Sequence, residues 1–404
     1  MGQMRLWREE SQRHEGRLRV PATIEGDCGR RTILWWEVPE AFADRVTDLL
    51  DPLVLSSFQL ASANQSDLVI RGPVSRSLLV NLEEYVKIIH CWAPHLYARV
   101  ELLAETETDP ANPTPDGEAI LAFSGGIDAC TTVRDLRIRP SGRQRYNLTG
   151  AVLVHGFDVP IEDDNGFALA LAAGHHLLDD LGIDLIPLRT NYAHVRHTWG
   201  VNWDHSHGGA LGAALSLFSK RYPIGLISSS ERYDRLVWPH GSTPLTDPLM
   251  SSLSMRIVHY GADSARADKI ARLADWPQAL KYVRVCWQGK ERGGNCGLCE
   301  KCIRTIVSFR AHGIPLPPAF PSDVTDRQIR GVRATSRIHL AEWTAIAEAA
   351  ERNGYGDTSW AKAVRRVVRR CRRRAAPRTF IGRAMNQLRT RLAIRTRLRA
   401  WLGR

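Results

Sequence analysis

Long apolar runs are absent from this 404-residue chain. Nothing approaches the ~20 uncharged residues that a membrane-spanning helix requires, which excludes an integral helical membrane protein. An apolar N-terminal stretch of signal-peptide type is missing too. The opening MGQMRLWREESQRHEGR is polar, and Arg5 and Leu6 make Gly2 a poor myristoylation context, so the expected compartment is the cytoplasm. Cysteine is sparse, eight residues in all, and without a secretory signal this argues against a disulfide framework. The most telling absence is of negative charge: residues 362–404 contain no Asp or Glu.

Those residues hold fifteen Arg and one Lys, a charge of +16, whereas the whole chain is only +12. Residues 1–361 therefore sum to −4, a mildly acidic body joined to a separate basic object. Arg365, Arg366, Arg369, Arg370, Arg372, Arg373 and Arg374 form its densest part. Further on, Leu388, Leu392, Leu398, Trp401 and Leu402 would give a helix a ragged apolar stripe beside a basic face. Such a helix suits an anionic partner, RNA or a membrane surface; packing on its own domain or a solvated end are the bland alternatives.

The composition, 44% hydrophobic and 24% charged, supports a sizeable core, and the length fits about two domains. Residues 1–110 mix strand-like runs (32–38, 67–71) with a helical stretch (77–90) and read as an α+β domain of unknown role. The acidic, proline-containing segment 105–118 reads as a linker. Beyond it, strand-like runs at 119–123, 150–155, 184–188 and 224–228 alternate with helical stretches at 128–136, 167–181 and 208–220. This alternation predicts an α/β fold with a doubly wound parallel sheet over 119–315. A helical extension over 316–404 ends in the Arg-rich tail.

The most informative segment is 119–129, in which an apolar strand runs into Ser124-Gly125-Gly126-Ile127-Asp128-Ala129 and a helix begins. Adjacent glycines permit positive φ and let a ligand approach the backbone. Their N–H groups and those of the first helical turn then converge on a spot suited to an anion. Ser124 adds a hydroxyl, and Asp128 could hold the Mg2+ that accompanies a nucleotide phosphate. No Gly-Lys-Ser/Thr follows and a third spaced glycine is missing, so this is neither a Walker loop nor a dinucleotide fingerprint. A plain strand-to-helix turn is the bland reading; the full strand–SGGxD–helix context favours phosphate binding.

Here the chain resembles the PP-loop ATP pyrophosphatases, whose signature is Ser-Gly-Gly-x-Asp-Ser. The resemblance implies an adenine nucleotide alpha hydrolase-like fold. It also implies cleavage of ATP between the α and β phosphates, adenylation of a substrate, and displacement of AMP by a nucleophile. Ala129 departs from the signature. It removes a hydroxyl contact of a kind worth ~1.5–3 kcal/mol to a charged group and leaves the backbone cradle. Cys130 follows, either a small buried helix residue or a reactive thiol.

Cys286, Cys296, Cys299 and Cys302 are spaced C-x9-C-x2-C-x2-C. Four thiolates, three on one tight knuckle, suit a closed structural Zn2+ site; an iron–sulfur cluster competes, but the Cys-Pro that would accompany it is absent. A structural zinc can supply roughly 10 kcal/mol of folding free energy. The PP-loop and knuckle together, with Arg304 just after, resemble the 7-cyano-7-deazaguanine synthase family over residues 119–305. That resemblance places His155, Gly156 and Phe157 near the adenine. Thr243-Pro244-Leu245 resembles the family's Pro-Leu element. Arg266 stands where a lysine would face the ATP phosphates.

Weaker candidates remain. His194, His197, His205 and His207 could ligate a metal or line a pocket, though Asp204-His205-Ser206-His207 reads first as a capped helix start. Ser228-Ser229-Ser230-Glu231 closes a strand on the edge where parallel sheets bind ligands. Asp247 reads as a second magnesium ligand or a turn residue, and Trp203, Trp238 and Trp287 as stacking partners or core. The expected function is that of an ATP-dependent C–N ligase with ATP, Mg2+ and Zn2+. It would activate a small carboxylate or base-like substrate for attack by ammonia or an amine, with Asp128 and Arg266 as the catalytic pair. The alternatives are a sulfur-transfer RNA-modification enzyme with Cys130 as carrier, and a non-catalytic nucleotide-binding protein.

Overall fold

The computed structural model describes residues 2–27, 29–110, 117–140, 142–286, 288 and 294–375. The first strands are set by a two-residue period that buries Met4 and Leu6, then Leu34, Trp36 and Val38. They are β1 (Gly2–Arg8), β2 (Gln12–His14), β3 (Arg17–Gly26) and β4 (Arg31–Pro39). Helix α1 (Asp51–Ala63), β5 (Ser66–Ser75), α2 (Arg76–Trp92) and β6 (Leu102–Thr108) follow. Next come β7 (Glu118–Ala122), α3 (Ile127–Val133), β8 (Asn147–His155), α4 (Asp164–Leu178) and β9 (Asp184–Thr190). Then come α5 (Tyr192–Thr198), α6 (Trp203–Ser216), β10 (Ile224–Ser228) and β11 (Arg256–Tyr260). Helices α7 (Arg266–Leu273), α8 (Pro277–Tyr282) and α9 (Glu300–Ala311) complete this part.

All these strands join one sheet, ordered β11-β10-β7-β8-β9-β4-β3-β1-β5-β6, with β2 paired to β3. The five strands from β11 to β9 are parallel, and β9 meets β4 antiparallel through Trp36 and Thr190. A mostly parallel sheet with flanking helices defines an α/β fold. Order along the chain reverses at β7, whose neighbours are β8 and β10, and this leaves a crevice at the C-terminal strand ends.

The chain divides into two compact units, Met1–Val324 and Thr325–Arg404. Segments 1–110 and 119–315 both lie in the first, joined by the sheet and by α1 against α6. A Cβ on Gly209 would sit 2.9 Å from the Leu55 carbonyl oxygen, so glycine sets that close approach. The expected linker begins differently: Glu105–Thr108 belong to β6, which pairs in parallel with β5. An edge strand presents one side to water and so tolerates this acidic composition. Residues 111–116 lie outside the described residues.

The second unit contains α10 (Asp326–Gly331), α11 (Arg337–Arg352) and α12 (Ser359–Ala375). Thr325 and Gln328 form a capping box at α10. Trp343, Ile346 and Ala349 of α11 and Val364, Val367 and Cys371 of α12 are buried. The amphipathic stretch expected over 388–402 lies outside the described residues. No helix among the described residues is long and apolar enough to cross a membrane.

Candidate functional site

The Ser-Gly-Gly turn sits at the end of β7, beside the β7–β10 crevice. Only Gly125 takes positive φ (71°); Gly126 is extended at the N-cap of α3, with φ −81° and ψ 173°. The expectation that both glycines serve the turn is thus corrected. A Cβ on Gly126 would lie 3.2 Å from Ser124 Oγ and 3.5 Å from the Arg284 carbonyl oxygen, a tight fit that a small shift of the serine hydroxyl would relieve. Helix α3 passes directly into a π-helical turn, Arg134–Ile138. Ile127 and Ala129 are both buried, on a helix enclosed nearly all round.

Asp128 does not stand alone as a metal ligand would. Arg266 Nη2 and Nε lie 2.6 and 2.9 Å from Asp128 Oδ2, and Lys269 Nζ lies 3.3 Å from Oδ1. Burial opposes the charge on Asp128, but Arg266 and Lys269 outweigh it and hold the carboxyl below its usual range. Lys269, 2% exposed, also donates to the Ser229 carbonyl, and burial pushes its ammonium down. Arg266 and Lys269 share one face because they are three residues apart on α7. Two further ion pairs pin α7 and its following turn to the π-helical turn after α3, Arg272 to Asp135 at 2.8 Å and Arg134 to Asp275 at 2.8 Å.

Arg284 closes the loop from the other side. Its backbone N–H donates to the Gly125 carbonyl at 2.8 Å, and its guanidinium reaches the Cys286 carbonyl at 3.2 Å. Asn295 then braces the approach to the cysteines. Its Oδ1 accepts from the N–H groups of Val285 (2.8 Å) and Cys286 (3.2 Å), and its Nδ2 donates to the Val283 and Ala319 carbonyls.

The four cysteines come together as the spacing predicts, with their sulfur atoms all within 4.8 Å of one another. The sulfur atoms of Cys286–Cys296, Cys286–Cys299 and Cys296–Cys302 are 3.4, 3.7 and 3.9 Å apart. Bonds of 2.3 Å in a tetrahedral zinc thiolate site require sulfur atoms about 3.8 Å apart. The donor set therefore fits a closed metal site with zinc as the natural occupant. Lys301, between two of these ligands, lines the same recess as the loop.

Two contiguous cavities result. A recess of about 90 Å³ is lined by Ser124, Gly126, Asp128, Asp158, Arg266, Arg284, Lys301 and Thr305. It opens beside a cleft of about 280 Å³ whose walls include Phe123, Val152, Val154, Phe157, Trp203, His207, Leu211, Ser228, Ser230 and Ser242. The recess sets three cations, Arg266, Arg284 and Lys301, against two carboxylates, Asp128 and Asp158; the cleft shares Asp128, Asp158, Arg266 and Arg284 with it and is otherwise lined by apolar and neutral polar groups. Burial pushes the His207 imidazole down to about 3, so it is uncharged at neutral pH.

The other candidates divide. Phe157 and Trp203 face the cleft, whereas His155 is buried, stacked on Phe167 with ring centroids 4.4 Å apart, and bonded through Nε2 to the Pro160 carbonyl (2.7 Å). Gly156 has φ 106°, and a Cβ there would meet the Thr190 carbonyl oxygen at 2.0 Å, so this turn admits only glycine. Asp247 is fully buried and accepts from Ser242 Oγ, the Thr243 N–H and His259 Nδ1, the bonds of a structural hub. His205 pairs with the Tyr97 hydroxyl at 3.0 Å, and the four cysteines are the metal-competent group found among the described residues. Trp238 is exposed and stacked on Trp92; Trp287 lies outside the described residues.

Sequence reasoning missed Lys269, Arg284, Lys301 and Asn295. Lys269 was signalled by its three-residue distance from Arg266, and Lys301 by its place between two expected metal ligands. Arg284 and Asn295 carried no local signal. Comparison with protein-family models, with curated proteins and with solved structures finds no match to this chain.

Proposed function

We propose that this chain is an ATP-dependent, adenylate-forming enzyme of the C–N ligase type. One observation carries the reading: three cations, only partly offset by Asp128 and Asp158, and a glycine turn surround a small recess that continues into a mainly apolar cleft. A recess so charged suits a compact polyanion, and the adjoining cleft suits a planar, weakly charged body. A nucleoside polyphosphate has both. In this reading Arg266, Arg284 and Lys301 face the pyrophosphate end and offset the charge that develops as it leaves. The walls of the cleft, with Phe157 and Trp203, hold the base. Asp128 keeps Arg266 and Lys269 in place before the nucleotide arrives. Mg2+ would add charge neutralisation, and Asp128 would ligate it in competition with its present cationic partners, Arg266 and Lys269.

The acceptor, a small carboxylate or base-like molecule attacked by ammonia or an amine, is proposed from the resemblance carried by the loop and knuckle. Sulfur transfer is less favoured. Cys130 is buried, its thiol is pushed up by burial, and it points to the Gly125 carbonyl, 3.5 Å away. Incubation of the protein with ATP, Mg2+, ammonia and a panel of carboxylates and nucleobase acids tests the proposal by its products. AMP and pyrophosphate are expected. ADP as the product, or no turnover with any member of the panel, would overturn it, the latter in favour of a non-catalytic nucleotide-binding protein.

A further inference from the structure

Helix α12 sorts its basic residues by face. On one side Trp360, Val364, Val367 and Cys371 are buried in the second unit. Two arginines next to that side are consumed locally: Arg365 pairs with Glu351, and Arg370 donates to the carbonyls of Arg330 (2.8 Å) and Val332. On the opposite side stand Lys362, Arg366, Arg369 and Arg373, all exposed, with no side-chain hydrogen bond or ion pair among the described residues. Their spacing of four, three and four residues places them in one stripe, about 16 Å long at 1.5 Å per residue. No acidic residue lies on α12 to neutralise it, and residues 325–375 hold thirteen Lys and Arg against five Asp and Glu.

We infer that this stripe is a docking surface for the phosphate backbone of nucleic acid, bound without sequence preference. Charge complementarity supplies the first argument: a duplex presents one negative charge per ~1.7 Å, so four cations along the helix meet phosphates over their whole length. The second argument concerns the apolar side. A helix that lies in a membrane interface must offer an apolar face to the lipid, and the apolar face of α12 is already spent on its own unit. The third is chemical. Three of the four cations are arginines, whose planar fork engages phosphate oxygens in pairs. The inference is independent of the catalytic reading and fails separately from it.

The test uses the full chain and fluorescein-labelled 20-nucleotide RNA and 20-base-pair DNA between 50 and 250 mM KCl. Neutralising the stripe (Lys362→Ala, Arg366→Ala, Arg369→Ala and Arg373→Ala together) should weaken binding about tenfold or more and reduce the log–log salt slope by about 3. A charge-keeping variant, Arg366→Lys with Arg369→Lys and Arg373→Lys, should retain the slope, and a double reversal, Arg366→Glu with Arg369→Glu, should lose it with unchanged circular-dichroism melting. Wild-type affinity in the neutralised variant would overturn the inference by assigning binding elsewhere. So would binding to neither nucleic acid, or binding only to phosphatidylcholine vesicles containing phosphatidylserine.

Discussion

Around the Ser-Gly-Gly loop, Arg266, Lys269 and Arg284 are withdrawn from water and set against Asp128 and Asp158. Along α12, Lys362, Arg366, Arg369 and Arg373 face solvent with no acid on their helix. The same side-chain chemistry thus has two energetic consequences. Buried cations persist only where anions and backbone carbonyls compensate their desolvation, so they form a preorganised, weakly screened site. Exposed cations cost almost nothing to keep and lose most of their long-range pull as salt rises.

The sharpest break in that comparison comes from the four-cysteine knuckle and the metal it is fitted to hold. Replacing Cys299 by Ser, or stripping the metal with a chelator, should remove on the order of 10 kcal/mol from the local fold. Hydrogen exchange should then accelerate through the segment holding Arg284, Asn295 and Lys301, while α12 stays protected. Next in size is Asp128→Asn, which leaves Arg266 and Lys269 buried without their carboxylate and should cost about 3–5 kcal/mol in denaturant unfolding. The folded carboxyl lies below its unfolded value. Its contribution is therefore complete above the ordinary carboxylate range and fades as the pH falls through the folded value, and Asp128→Asn should flatten that acid limb.

A smaller effect is expected at His207. Its folded value of about 3 lies below the ordinary 6.5, so between those values the unfolded chain binds the extra proton and stability rises with pH. His207→Gln should reduce the slope of melting temperature against pH in that window. The smallest effect belongs to the stripe: Arg366→Ala or Arg369→Ala should change stability by less than about 0.5 kcal/mol. A large loss there would erase the contrast between the two regions.

Much of this was legible in the chain. The parallel strands at β7, β8, β9 and β10 fall where short apolar runs alternate with helical periodicity, because both patterns are local. The cysteine cluster was legible because metal spacing is a property of one segment. What escaped depends on distant partners. β1 shows its alternation at only two positions, Met4 and Leu6, and β3 buries Val20 to Ile24 in succession, so both become strands by pairing. The joining of β4 to β9 makes one sheet of two expected domains. Asp128 reads as a metal ligand until α7 folds against α3 and supplies Arg266 and Lys269. His155 reads as a pocket residue until Phe167 stacks on it.

The central claim is that the cationic recess holds the pyrophosphate end of a nucleotide. Calorimetric titration of wild type and Arg266→Gln with pyrophosphate, ATP and adenosine tests it most directly. The account predicts that pyrophosphate binds and displaces ATP. It also predicts that Arg266→Gln weakens both by a similar factor of about ten or more, the value of a lost charged hydrogen bond, and leaves adenosine unaffected. ATP binding no tighter than adenosine, or pyrophosphate affinity indifferent to Arg266→Gln, would contradict it.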